Sequence, residues 1–266
     1  MDKKQQQQED LERLQELRLF EDEFMNACFD QNIEGAELIL RIILGKPDII
    51  VKQVTTQRMM QNLLGRSVRL DIAAEDADGK VYDIEVQRAE EGARPKRARY
   101  HSSIMDSHLL EAGEDFEDLP ETYVIFITES DYFKEDKPIY TIERMITGLN
   151  RPFGDEEHII YVNGANRDSG TEIGRLMHDF SCTDPDEMYY KELAKVVRYF
   201  KKDEEGVRKM SGVLEEMRNE VAKETEEETN MKAIKNIMKS LKLSEEQAMD
   251  ALKIPKKERK LYMTML

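Results

Sequence analysis

Arg69-Leu-Asp-Ile-Ala-Ala-Glu-Asp-Ala-Asp-Gly-Lys-Val-Tyr-Asp-Ile-Glu-Val-Gln87 is the stretch on which the reading of this chain turns. Val68, Leu70, Ile72 and Ala74 alternate with Arg69, Asp71 and Ala73, and Tyr82, Ile84 and Val86 alternate with Asp83, Glu85 and Gln87. A period of two reads as strand, and Asp78-Gly79 between the runs reads as a turn. A three-residue loop, Ala77-Asp78-Gly79, puts Gly79 in the left-handed conformation of a type I turn plus bulge. Asp76 then pairs with Lys80, Asp71 lies opposite Glu85, and Arg69 lies opposite Gln87. A two-residue loop shifts the register by one and sends Asp71 and Glu85 to opposite faces. The loop length therefore decides whether the two acids meet.

Directly opposed residues share a face, so the longer loop leaves two carboxylates roughly 5 Å apart, where they repel. A divalent cation removes that repulsion. Magnesium typically takes one or two carboxylates and keeps waters for substrate, and the Val86 carbonyl is a third candidate ligand. Such an ion suits phosphodiester hydrolysis. Gln87 is no base at neutral pH; its amide suits orienting water or donating to a phosphate oxygen. The competing reading is a half-exposed hairpin whose acidic face meets only water. Asp76-Ala-Asp-Gly is no EF-hand loop, because its glycine stands fourth rather than sixth and no ligand ladder follows.

Ser67-Val-Arg-Leu-Asp-Ile, the acidic turn and Tyr82-Asp-Ile-Glu-Val-Gln together resemble the core of the PD-(D/E)XK nuclease family transposases, also called the recombination-promoting nuclease/putative transposase family. Asp71 matches the family's Asp, Glu85 its Glu and Gln87 the third position, with Gln in place of Lys. Phe20-Glu-Asp-Glu-Phe-Met, Arg97-Ala-Arg-Tyr-His, Leu119-Pro-Glu-Thr-Tyr-Val-Ile-Phe-Ile and Leu243-Ser-Glu-Glu-Gln-Ala-Met-Asp-Ala-Leu extend the resemblance over most of the chain. It implies an α/β, restriction-endonuclease-like mixed sheet flanked by helices. It also implies a Mg2+- or Mn2+-dependent DNA endonuclease linked to recombination or mobile elements. In such folds an acid on the first helix often joins the metal shell, which makes Glu37 a possible fourth ligand; the alternative is an exposed helical Glu. A nuclease-fold binding or assembly module without turnover is the rival function.

The formal net charge of −16 argues against a protein that coats DNA, since phosphate binding needs local cations. Arg94, Lys96, Arg97 and Arg99 supply a local cluster at the start of a helix running to Leu110. They either grip the DNA backbone or are solvated and paired with Glu90, Glu91 and Asp106. Cys28 and Cys182 suggest neither a disulfide framework nor a zinc site. His101, His108, His158 and His178 lack ligand spacing and read as surface or partly packed. With no apolar leader and no run long enough to span a membrane, a cytoplasmic setting is expected.

The organisation expected is an N-terminal helical extension (1–20), a nuclease-like domain (21–200), an acidic helical linker (201–230) and a C-terminal appendage, a small helical hairpin (231–266), which is a candidate for homo-oligomer contact. Within the domain, Asp30–Leu44 reads as an amphipathic helix. Ile49–Thr55, Glu121–Thr128, Ile139–Arg144 and His158–Asn163 read as strands, with Glu121–Thr128 central and buried. Asn150–Asp155 reads as a turn, and Glu172–Phe180 and Glu187–Phe200 as helices, with Met177, Tyr189, Tyr190, Tyr199 and Phe200 as packing residues. Ser244-Glu-Glu-Gln247 is a capping box, and Pro255 opens a last helix.

Overall fold

A computed structural model describes residues 3–62 and 65–265. The chain opens with helices α1 (Lys3–Glu16), α2 (Asp22–Phe29) and α3 (Ile33–Leu44), followed by strands β1 (Val51–Met60), β2 (Val68–Asp76) and β3 (Val81–Gln87). Helix α4 (Pro95–Leu109) leads to β4 (Thr122–Thr128), β5 (Ile139–Ile142), a two-residue-stranded hairpin of β6 (Met145–Ile146) and β7 (Arg151–Pro152), and β8 (Glu157–Asn163). Helices α5 (Glu172–Ser181), α6 (Lys191–Lys202), α7 (Glu204–Leu241), α8 (Glu245–Ala251) and α9 (Lys256–Met265) complete it. The chain is a mixed α/β fold, and divides into two compact units, Met1–Met210 and Ser211–Leu266.

In the first unit six strands form one mixed sheet in the order β1-β2-β3-β4-β8-β5. β1, β2 and β3 are antiparallel neighbours, β3, β4 and β8 run parallel, and β5 returns antiparallel to β8. The expected central strand is the middle one: every residue of Thr-Tyr-Val-Ile-Phe-Ile-Thr in β4 is buried. Its β-branched and aromatic side chains suit a strand covered on both faces. On one face α4 lays Ala98, Ile104 and Met105 over a cluster that includes Ala73, Val81, Val124, Phe126 and Tyr161. A second helical layer is tied together by aromatic contacts, Phe20 and Phe29 with Phe180 and Phe24 with Phe200. Its α2 and α3 pack against β1.

The hairpin takes the longer loop. Ile72 pairs with Ile84, Ala73 with Asp83 and Ala74 with Tyr82, a register that sets Asp76 opposite Lys80 and Asp71 opposite Glu85. The Asp76 N–H donates to the Lys80 carbonyl, and Gly79 stands at φ +84°, where a side chain would be strained. Asp76 itself is spent on the turn: Oδ1 accepts from the N–H groups of Asp78 and Lys80, and Oδ2 from the Tyr82 hydroxyl. That commitment explains why the Asp76–Gly79 segment builds a turn rather than a cation loop.

The competing reading of the hairpin and two expectations need correction here. β3 is not half exposed: Val81 to Val86 are all buried, including Asp83 and Glu85 at 0% exposure. β3 lies inside the sheet, so its alternating polar residues face α4 rather than water. The first strand does not end at Thr55 as expected but runs on to Met60. Tyr189, read as a packing residue, is half exposed, with only its ring edge against His178.

The Ser211–Leu266 unit has its own core of Met231, Ile234, Ala248, Met249, Ile254 and Tyr262. Ser244 and Gln247 form the expected capping box on α8, and α9 starts directly after Pro255. α7 is one uninterrupted helix of 38 residues, so the acidic stretch from Glu204 and the apolar positions Met231 and Ile234 belong to the same element.

Candidate active site

The site forms where the β2–β3 ladder stops. Beyond the Ile72–Ile84 pair the backbones no longer bond each other, and the carboxylates take over. The Asp71 N–H donates to Glu85 Oε1 at 3.0 Å, and the Val86 N–H donates to Asp71 Oδ2 at 3.1 Å. Each acid therefore satisfies the opposite strand's backbone and is pinned beside the other. Backbone groups of successive strand residues point to alternate neighbours, so the Val86 carbonyl leaves β3 on the same side as its N–H, toward Asp71. Gln87 reaches back over both acids. Its Nε2 makes long contacts of 3.5 Å to Asp71 Oδ2 and 3.4 Å to Glu85 Oε2. All of this lies at the carboxyl ends of the parallel strands, the usual place for a site in an open α/β sheet.

Two residues that the sequence reading left out complete the cluster. Asp83 stands two residues before Glu85 and so shares its face. His101, expected at the surface or partly packed, is buried, with Nδ1 2.8 Å from Asp83 Oδ2 and 3.7 Å from Glu85 Oε1. Asp83, Glu85 and His101 place ligand-type atoms within 4.8 Å of one another. The signal was available: Asp83 and Glu85 are spaced for one strand face, and Arg97 and His101 for one helix face. Spacing among the histidines carries no sign of His101's place, because its partners, Asp83 and Glu85, come from another element.

Glu37 is not in this cluster. Its carboxylate accepts from the Val51 N–H at 2.9 Å and pairs with Arg41 at 2.7 Å. Val51 pairs with Asp76, at the far end of β2 from Asp71, so α3 points its acid away from the site. The helical acid whose charge the cluster feels is instead Asp22, at the start of α2: it raises the pKa of Asp71 and itself feels Arg69, Arg88 and Arg97. The N-terminus of α2 is fixed there by a charge network: Arg18 bonds Glu21 and Glu129, and Arg88 reaches the same two acids.

The basic helix start splits into two roles. Arg97 points inward, with Nη2 2.8 Å from Glu85 Oε2. Arg94, Lys96 and Arg99 are exposed and, among the described residues, form no ion pair, so the expected partners Glu90, Glu91 and Asp106 do not hold them. No acid stands in the first turn of α4. Cations there oppose the helix dipole, a cost that an incoming anion would offset.

The electrostatics show a site short of positive charge. Burial pushes Asp71 up to about 6, against a favourable Val86 N–H bond and with Asp22 adding to the rise. Burial, and after it the neighbouring carboxylates, hold Asp83 and Glu85 well above the usual range. Burial lowers His101, which favours its neutral form. Asp83 Oδ1 is buried with no hydrogen-bond partner among the described residues. Asp71, Asp83 and Glu85 thus share the field of one guanidinium, Arg97, while Asp22 feels Arg69 and Arg88 as well.

The profile of the PD-(D/E)XK nuclease family transposases matches residues 23–175, which is more than half of the chain. The chain belongs to this family. No curated protein and no solved structure matches it. The PD-(D/E)XK match runs from within α2 to the first turn of α5 and so contains Asp71, Asp83, Glu85, Gln87, Arg97 and His101, with Asp22 one residue before its start. Among the described residues no helix is long and apolar enough to cross a membrane.

One glycine serves the site by what it lacks. A Cβ on Gly92 would stand 1.8 Å from Gln87 Oε1. The obstructed atom ends a flexible side chain, so Gly92→Ala should swing Gln87 off the acids and change stability by less than about 1 kcal/mol. Gly92→Ala and Gln87→Ala are expected to share one defect in nicking assays on plasmid DNA. Full activity in Gly92→Ala beside a defective Gln87→Ala would contradict this.

Proposed function

We propose that the protein is a divalent-cation-dependent DNA endonuclease, hydrolysing phosphodiester bonds in recombination or mobile-element activity. The observation that supports this reading best is the Asp71–Glu85 pair, two mutually pinned carboxylates, Glu85 buried and Asp71 half-buried. Asp71, Glu85 and the Val86 carbonyl would hold the ion, and hard oxygen donors suit Mg2+ or Mn2+. The orphaned Asp83 Oδ1 and the raised carboxylates fit a cluster that gains by receiving a cation. When bound, such an ion activates water and stabilises charge on the phosphate.

The chain's own residues do the rest. Gln87, neutral and able to donate, orients the attacking water or a phosphate oxygen. Arg94, Lys96 and Arg99 hold the DNA backbone next to the cluster. The net charge of −16 does not oppose this, because charge is segregated and the first turns of α4 are basic.

Thermal melting with added Mg2+ or Mn2+ tests the site together with plasmid incubation. The expected result is a cation-dependent rise in Tm that disappears in Asp71→Asn, with nicking that needs the same ion. Cation binding without nicking would favour the rival, a binding module that has lost turnover. No cation effect at all would end the metal reading.

The melting experiment carries a pH signature. Asp71 titrates near 6 in the folded, cation-free protein, above its ordinary value of 3.8. The folded state then binds the proton more tightly, so this group's contribution to cation-free stability is full at low pH and is lost as pH rises through 6. A divalent ion needs the deprotonated acid. Its stabilising effect should therefore be small below pH 6 and grow above it.

A further inference from the structure

The Arg97 guanidinium does not reach Glu85 unaided. Its Nε–H donates to His101 Nε2 at 3.3 Å, while Nη2 donates to Glu85 Oε2 at 2.8 Å. Arg97 Nε carries one hydrogen and can only donate, so His101 Nε2 must offer its lone pair. The imidazole proton then sits on Nδ1, which donates to Asp83 Oδ2 at 2.8 Å. The chain of donors runs from Arg97 in two directions: through His101 to Asp83, and directly to Glu85. Two residues four apart on α4 thus grip two residues two apart on β3. His101 has neither nitrogen free, which argues against its being a metal ligand.

Arg97 also stands in a telling place. Glu85 Oε1 is taken by the Asp71 N–H, and Arg97 bonds the other oxygen, Oε2, which Gln87 Nε2 also approaches at 3.4 Å. Gln87 brings no charge. The guanidinium is the positive group nearest the acids, and it competes with any divalent ion for the same oxygen.

We propose that Asp83 and His101 are positioning residues that aim Arg97 at Glu85 Oε2, where its guanidinium would compete with a divalent ion held by Asp71 and Glu85. This rests on the metal reading of Asp71 and Glu85. It assigns a task to Asp83 Oδ2 and to a buried histidine, which cation binding and phosphate gripping leave unused. The simpler role for His101 is only to satisfy Asp83.

Mn2+ affinity of the full-length protein, measured by electron paramagnetic resonance, separates the two roles without requiring cleavage. Arg97→Gln removes a positive charge that competes for Glu85 and should tighten Mn2+ by roughly tenfold. His101→Asn keeps a donor for Asp83 but cannot reach Arg97, and should tighten Mn2+ to a similar degree. His101→Gln presents an acceptor near the position of Nε2, and should stay near the parent. The Arg97→Gln/His101→Asn double variant should gain no more than Arg97→Gln alone, because both act through one contact. Asp83→Asn, of unchanged shape, should follow His101→Asn and serves if the latter does not fold.

Gains that multiply in the double variant overturn the proposal. So does weaker Mn2+ binding in His101→Asn, which would make His101 a ligand, or a larger effect of His101→Gln than of His101→Asn, which would make its role structural. Glu85→Gln is the control. If it abolishes Mn2+ binding while the His101 variants leave affinity unmoved, the positioning role alone fails. If Glu85→Gln binds Mn2+ like the parent, the metal reading fails and takes the positioning role with it.

Discussion

Glu85→Gln is expected to yield a protein that no longer nicks plasmid DNA and yet, without divalent ions, is more stable than the parent. The loss of nicking should reach at least about 10³-fold, since the substitution removes a charged ligand from the cation that the chemistry relies on. The gain in stability follows from burial. Glu85 is fully buried beside Asp83 and Asp71, and its charged form is disfavoured there by burial and by both neighbours. A neutral isostere keeps an acceptor for the Asp71 N–H and removes the repulsion. Breaking a buried ion pair usually costs several kcal/mol because the partner is stranded. Arg97 escapes that fate, with its side chain 39% exposed and free to turn to water. A net gain of about 1 kcal/mol in cation-free buffer is expected from urea unfolding. A variant that is both inactive and strongly destabilised would mean that Glu85 holds the sheet together rather than serving a reaction.

Period-two alternation and the Asp-Gly turn narrowed the hairpin to two registers, and only the three-residue loop that the chain takes, with Gly79 at φ +84°, brings Asp71 against Glu85. The apolar run of β4 announced a strand covered on both faces. What could not be read was which helix covers which face. Glu37 and Asp22 are both acids early in the chain on helices near the first strands, and nothing in local spacing says which end of β2 each helix meets. The outcome depends on the Phe20, Phe24 and Phe29 packing and on the Arg18–Glu129 and Arg88–Glu21 bonds, all contacts between distant parts of the chain. His101 was hidden for the same reason. Its spacing from Arg97 is plain on a helical wheel, but its function depends on α4 lying across Asp83. Recurrent spacing within an element is legible, whereas meetings between elements are decided by the core.

Lys201→Ala should cost the first unit about 3 kcal/mol, a large share of the ~5–15 kcal/mol that holds a typical domain folded. Lys201 is 3% exposed, and its ammonium donates to the carbonyls of Gln15, Leu17 and Thr183 at 2.9, 2.5 and 2.6 Å. Three protons meet three acceptors, so the charge is buried without being left unsatisfied. Its ammonium also lies 5.4 Å from the centre of the Phe24 ring. Alanine leaves the carbonyls without their donor and opens a gap under Phe24. Lys201→Met keeps the bulk and should cost less, about 2 kcal/mol, because relief of the buried charge offsets part of the lost bonding. Burial pushes the ammonium down to about 8 from its ordinary 10.5. Between those values the unfolded chain holds the proton more tightly than the folded one, so this group makes folding more favourable as pH rises from 8 to 10.5. Urea unfolding across that range should show the rise in the parent and not in Lys201→Met. The effect reaches the active site through the chain itself. Leu17, which Lys201 holds, leads into Arg18, Glu21 and Asp22, the segment that delivers an acid to Asp71. Both Lys201 variants should therefore weaken Mn2+ binding although the substituted residue lies outside the cluster, whereas unchanged Mn2+ affinity in a destabilised Lys201→Met would show that Asp22 is seated independently of this lysine.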